Sequence, residues 1–142
     1  MTVAKALLAS TQIACILTCK APTKTELEGT WVISADSRAL LDSQFREAAG
    51  RLILDADGSF HAEQLPLDVE PLGIHPLVTG SGVWRLDIRG RDHWVQLNFQ
   101  SFNAEKVDFG FRLQVASSLS SPALYFFWGD VDTGSRVILR KE

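Results

Sequence analysis

The residues with chemistry to offer are three histidines, two acidic runs, two cysteines and one polar-aromatic strand, in a chain of 142 residues. His61, His75 and His93 lack the helical i, i+4 spacing of a zincin and the cysteine partners of a zinc ribbon. Only the fold could assemble them into a site, and their spacing reads as three unrelated histidines. Asp130, Asp132 and Gly134, like Asp55, Asp57 and Gly58, match part of a calcium loop. A full EF-hand pattern needs a glutamate at position twelve, and counting from Asp130 that position is Lys141. Both runs read as Asx-type turns closing hairpins, so no metal is expected.

Nucleophilic catalysis has little to work with. There is no Gly-x-Ser-x-Gly elbow, and Ser117, Ser118, Ser120 and Ser121 form a polar loop ended by Pro122. Glu63 and Asp87 are strand carboxylates that could line a cavity, though their default place is solvent. Neither a phosphate-binding loop nor a glycine-rich dinucleotide motif is present, so neither a cofactor nor an enzyme is expected. Trp94 is the aromatic to follow, because Gln96, Asn98 and Gln100 share its face. Turned inward, Trp94, Gln96 and Asn98 line a ligand pocket; turned outward, they offer a patch to a partner.

Composition narrows the class. With 46% apolar and 22% charged residues and a net charge of −3, the chain is neither disordered nor a general nucleic-acid binder. Its charge is unevenly placed. Residues 1–24 hold Lys5, Lys20 and Lys24 and no acid, whereas all 17 acidic residues and the other 11 basic ones follow, leaving that part at −6. Cys15 and Cys19 are the only cysteines, so the body has no disulfide framework. A short basic start, the uncharged stretch Ala6–Cys19 and a polar Lys20–Lys24 tether read as a secretory signal, too short to span a bilayer. The competing reading makes residues 3–18 an amphipathic first helix of a cytosolic domain.

Downstream the pattern is strands. Glu28–Ser34 opens the series, and Ser37–Ala49 has helical spacing, with Ser37 as cap and Gly50 as stop. Asp57-Gly58 between two β-rich runs predicts a hairpin. Pro66–Gly80 reads as a long loop, able to cover one barrel mouth. Alternating runs follow at Gly82–Ile88, His93–Phe99 and Asp108–Val115, then a hairpin from Ala123–Trp128 to Ser135–Arg140. Leu124–Trp128 is apolar on both faces, which predicts cover from the Ser37–Ala49 helix or another subunit. About eight antiparallel strands joined by short turns predict an all-β up-and-down barrel with one short helix after the first strand.

Two resemblances follow from these residues. Ile16-Leu17-Thr18-Cys19 resembles the lipobox of bacterial lipoproteins, with Thr18 where that pattern prefers Gly, Ala or Ser; Gln12-Ile13-Ala14-Cys15 is the other candidate. Gly29-Thr30-Trp31 resembles the Gly-x-Trp start of lipocalins. With Asp57-Gly58-Ser59-Phe60, Leu65-Pro66, Ser81-Gly82-Val83-Trp84 and the run from Trp128 to Arg136, the body is similar to uncharacterised bacterial secreted proteins and lipoproteins, over residues 28–140. Ser37–Ala49 is longer than that family's first connection. The resemblance implies a lipocalin-like barrel and no established activity.

The resulting division is a lipoprotein-type signal over 1–18, a tether over 19–27 and a barrel over 28–142. Cys19 would carry the lipid, anchoring the protein in the cell envelope; secretion, or the cytoplasm if the head is a helix, are the alternatives. The functional expectation is a binding module for a small apolar or amphipathic ligand. The alternative is a protein-interaction or inhibitor domain using a filled barrel as scaffold. No nucleic acid is expected, and a membrane only through the lipid.

Overall fold

A computed structural model describes residues 22–41, 43–67, 77–116, 121–128 and 135–142. Eight strands run in sequence order: β1 (Gly29–Ile33), β2 (Arg51–Leu54), β3 (Ser59–Pro66), β4 (Leu77–Arg89), β5 (Asp92–Phe102), β6 (Glu105–Ala116), β7 (Ala123–Phe127) and β8 (Arg136–Lys141). Each pairs antiparallel with the next, and β1 pairs with β8 to close the barrel. The period-2 alternation of the sequence sends one set of side chains inward. Trp31, Phe60, Phe99, Leu52, Leu97 and Leu113 are at most 1% exposed and interdigitate there. The rings of Phe60 and Phe99 meet T-shaped at 4.9 Å. Gly80 and Gly82 of β4 make room for this pair, because a Cβ at either would press on a phenylalanine ring and on the backbone of β5.

Three short helical segments are seen among the described residues: α1 (Lys24–Leu27), α2 (Ala35–Leu40) and α3 (Ser43–Arg46). The first closes one end of the barrel. Thr23 and Glu26 form a capping box, Leu27 is fully buried, and the Trp31 indole donates to the Leu27 carbonyl at 2.9 Å. The Gly-Thr-Trp run therefore pins α1 to the barrel floor.

The expected helix over Ser37–Ala49 is instead two shorter pieces, because Leu41 is extended (φ −78°, ψ 151°) and breaks the run. The cap is Ser34, whose hydroxyl accepts from the Ser37 N–H at 3.2 Å. Ser37 lies inside the first turn and ties it to the barrel by accepting from the Ile138 N–H at 2.8 Å. Arg38 then holds the descending chain: Nη1 donates to the carbonyls of Arg46 and Ala48 at 3.0 and 2.7 Å, and Nη2 to that of Ala49 at 2.9 Å. Leu41 and Phe45 are buried over the second barrel end, with Phe45 T-shaped on Trp128 at 5.6 Å.

The long loop is also shorter than expected, since β3 reaches Pro66 and β4 begins at Leu77. Residues 68–76, including His75, lie outside the described residues, as do Cys15, Cys19, Ser117, Ser118, Ser120 and the Asp130-to-Gly134 turn.

Candidate functional site

Trp94, Gln96 and Asn98 are brought together, on the outside of the barrel. Their neighbours Val95, Leu97 and Phe99 are the inward-facing residues of β5, each at most 1% exposed. Gln96 and Asn98 are half-buried, and their amides lie over Gly110 of β6, where a Cβ would come within 2.9 Å of the Gln96 nitrogen. Trp94 faces Asp87 of β4 on one side and Gln114 of β6 on the other. Gln114 in turn faces Tyr125 of β7, and Tyr125 faces Ile138 of β8. One outward row thus crosses five strands.

An indole on a sheet exterior would normally be wet, yet Trp94 is only 7% exposed. Its cover is cationic. The guanidinium of Arg112 sits 4.3 Å from the ring centroid and that of Arg89 sits 5.9 Å away. Arginine suits this position because its planar, weakly hydrated head stacks on an aromatic face while its N–H groups stay available. The Trp94 Nε1–H is buried and has no acceptor. Two strands further on, Arg136 repeats the motif over Tyr125 at 4.7 Å and Phe127 at 5.5 Å. Tyr125 and Phe127 themselves meet T-shaped at 6.0 Å. On the outer side of β7, apolar by sequence, Tyr125 and Phe127 thus lie under an arginine of the same hairpin, while the Ser37–Ala49 segment meets the Leu124–Trp128 stretch through Phe45 on Trp128.

Arg85 pairs with Asp87 at 2.8 Å, so the carboxylate beside Trp94 is already neutralised. The other outward carboxylate singled out by sequence, Glu63, lies 3.7 Å from Arg51 on the far side of the barrel. His61 is exposed on β3, between Ile53 and Ser81, and His93 is the second residue of β5, on its inward side. His61 and Glu63 share the outer face of β3, apart from Asp87 and His93, and among the described residues no three His, Cys, Asp or Glu side chains cluster as metal ligands. Asp55 and Asp57 close the β2–β3 hairpin. The Asp57 carboxylate accepts from the Ser59 N–H at 2.9 Å and hydroxyl at 2.6 Å, and these bonds lower its pKa below 3.8.

A separate open groove of about 450 Å³ runs over the outside of β2–β5, lined by Ile53, His61, Glu63, Thr79, Ser81 and Ser101. It follows the places where the ladder slips register, between Ala62 and Leu65, Ser81 and Gly82, and Phe99 and Ser101.

No family model matches the chain, and no curated protein or solved structure is significantly similar to it. The fold is a small antiparallel barrel of eight strands. Of the expected lipocalin-like lipoprotein, the small eight-stranded antiparallel barrel alone is seen.

Sequence reading found Trp94 and missed its partners. Arg112, Arg136 and Tyr125 lie on three other strands, so only the strand order brings them together. The alternation of β6 put Arg112 on the polar face with Gln114, which was the one available signal.

Proposed function

We propose that the protein is an interaction module: a filled barrel whose outer β5–β8 face docks a protein partner. The observation that carries it is the placement of Trp94, a large side chain held outside the core and roofed by arginines. Trp, Tyr and Arg are the residues enriched at the energetic centres of protein interfaces. Large side chains occupy the barrel interior, which favours the scaffold reading over the small-ligand one, because Trp94, Gln96 and Asn98 all face away from that interior. Anchoring through a lipid on Cys19 is part of the proposal; the intact mass of the membrane-fraction protein tests it, a diacylglyceryl-modified chain beginning at Cys19 supporting the anchor and an unmodified Met1 removing it.

The docking face is tested by placing a photo-crosslinking residue at Gln114, and at His61 as control, in the producing cell. Discrete adducts from Gln114 and none from His61 support the reading. Adducts from neither position, or from His61 alone, sink it.

A further inference from the structure

On the reading of the β5–β8 face as a docking surface, we infer that its partner presents an acidic protein segment, gripped by Arg112 and Arg136. Charge is the first argument. Among the described residues no carboxylate lies within ion-pair distance of Arg89, Arg112 or Arg136, whereas Arg85 and Arg51 have theirs. Among the described residues Arg112 and Arg136 thus carry no ion pair, while Asp92 stands opposite Arg89 at the β4–β5 turn, on a chain body that is acidic in total.

Preorganisation is the second. A free arginine loses side-chain entropy when it grips a ligand. Arg112 and Arg136 are already seated, 4.3 Å from the Trp94 ring and 4.7 Å from the Tyr125 ring. An aromatic seat holds the guanidinium through its face and leaves the N–H fork free for a carboxylate, which it meets in bidentate fashion. The two positions are separated by β7. At ~4.8 Å per strand they stand roughly 10 Å apart, a separation that two carboxylates on one polypeptide segment can span.

Protein is favoured over nucleic acid because the rings are occupied. Bases bind sheet exteriors by stacking on bare aromatic faces, and Trp94 is 7% exposed beneath its arginines. The surrounding Gln96, Asn98 and Gln114 amides add hydrogen-bonding groups without opposing charge.

The test uses the full chain and poly-L-glutamate as probe, followed by calorimetry at low and moderate salt. Binding is expected, weakened at least tenfold in the Arg112→Gln/Arg136→Gln double variant, lost with added salt, and unchanged in Arg51→Gln on the other side of the barrel. Proton–nitrogen spectra of the unaltered protein give a readout independent of any variant's folding: the Trp94 indole and Arg112 Nε–H signals should move with polyglutamate. The inference is overturned if polyglutamate fails to bind, if those signals stay still, or if the double variant binds as well as the parent. It is equally overturned if an oligothymidylate of matched charge, or phosphatidylglycerol vesicles, bind more tightly than polyglutamate. Crosslinks from Gln114 without polyglutamate binding would retire the acidic partner and keep the docking face; loss of both would retire both.

Discussion

The Arg112 guanidinium lies 4.3 Å from the centre of the Trp94 indole, on the neighbouring strand and the same outward face. A cation over an indole at a partly exposed site contributes about 0.5–1 kcal/mol, rising to about 2 kcal/mol where water is excluded. Arg112→Ala should therefore lower stability by about 1 kcal/mol. It should also expose the buried Trp94 Nε1–H, so that its hydrogen exchange, followed by proton–nitrogen spectroscopy, speeds up while that of Trp31, bonded to the Leu27 carbonyl, does not.

Arg38 makes a different kind of contact, since its guanidinium donates to three main-chain carbonyls between Arg46 and Ala49. Arg38→Met keeps the aliphatic stem and removes all three bonds. A loss of about 1–2 kcal/mol is expected in urea unfolding, given what a charged donor contributes to a partly exposed bond. Limited proteolysis should find new cleavage between Leu41 and Gly50, and unaltered resistance there would show that the clamp is dispensable.

Gly82 and Gly90 separate two reasons for a glycine. At Gly82 a Cβ would collide with the Asn98 carbonyl and touch Phe60, so Gly82→Ala should cost about 3 kcal/mol through forced repacking. At Gly90, in the β4–β5 turn, there is open space and only the positive φ of 61° to satisfy, which costs an alanine about 1 kcal/mol. Thermal unfolding of the two variants should rank them in that order.

Asp57 gives the fold an acid dependence. Its folded pKa is depressed, first by the Ser59 hydroxyl and then by the Ser59 N–H. The stabilisation is present above the ordinary value of 3.8 and is lost as pH falls through the lower folded value. Asp57→Asn should flatten the decline in unfolding midpoint below that pH relative to the parent; identical acid profiles would remove Asp57 from the account.

Much of the barrel was legible because its signals are local. Asp57-Gly58 marks its hairpin, and the alternation of β4, β5 and β6 tells which residues share a face. What alternation cannot tell is what lies across from a face. Trp94 could be grouped with Gln96 and Asn98 from spacing alone, but its cover comes from Arg112 and Arg89 on adjoining strands. Ser34, not Ser37, caps α2, although both are serines before the same apolar run. What separates them is the Ile138 N–H, far away in sequence, which engages the Ser37 hydroxyl.

The segment entering β1 and the end of β8 meet on the barrel floor. Lys141 Nζ donates to the Glu26 carbonyl at 2.9 Å, and the Glu142 N–H donates to the Thr30 carbonyl at 2.8 Å. A barrel whose first and last strands are clasped in this way is nearly circular in its connectivity. A short linker joining Glu142 to Thr23, with new termini cut at the exposed Gly90 turn, should give a permuted chain with the same strand order. The arginine-covered face would then be carried on a molecule that begins and ends somewhere else.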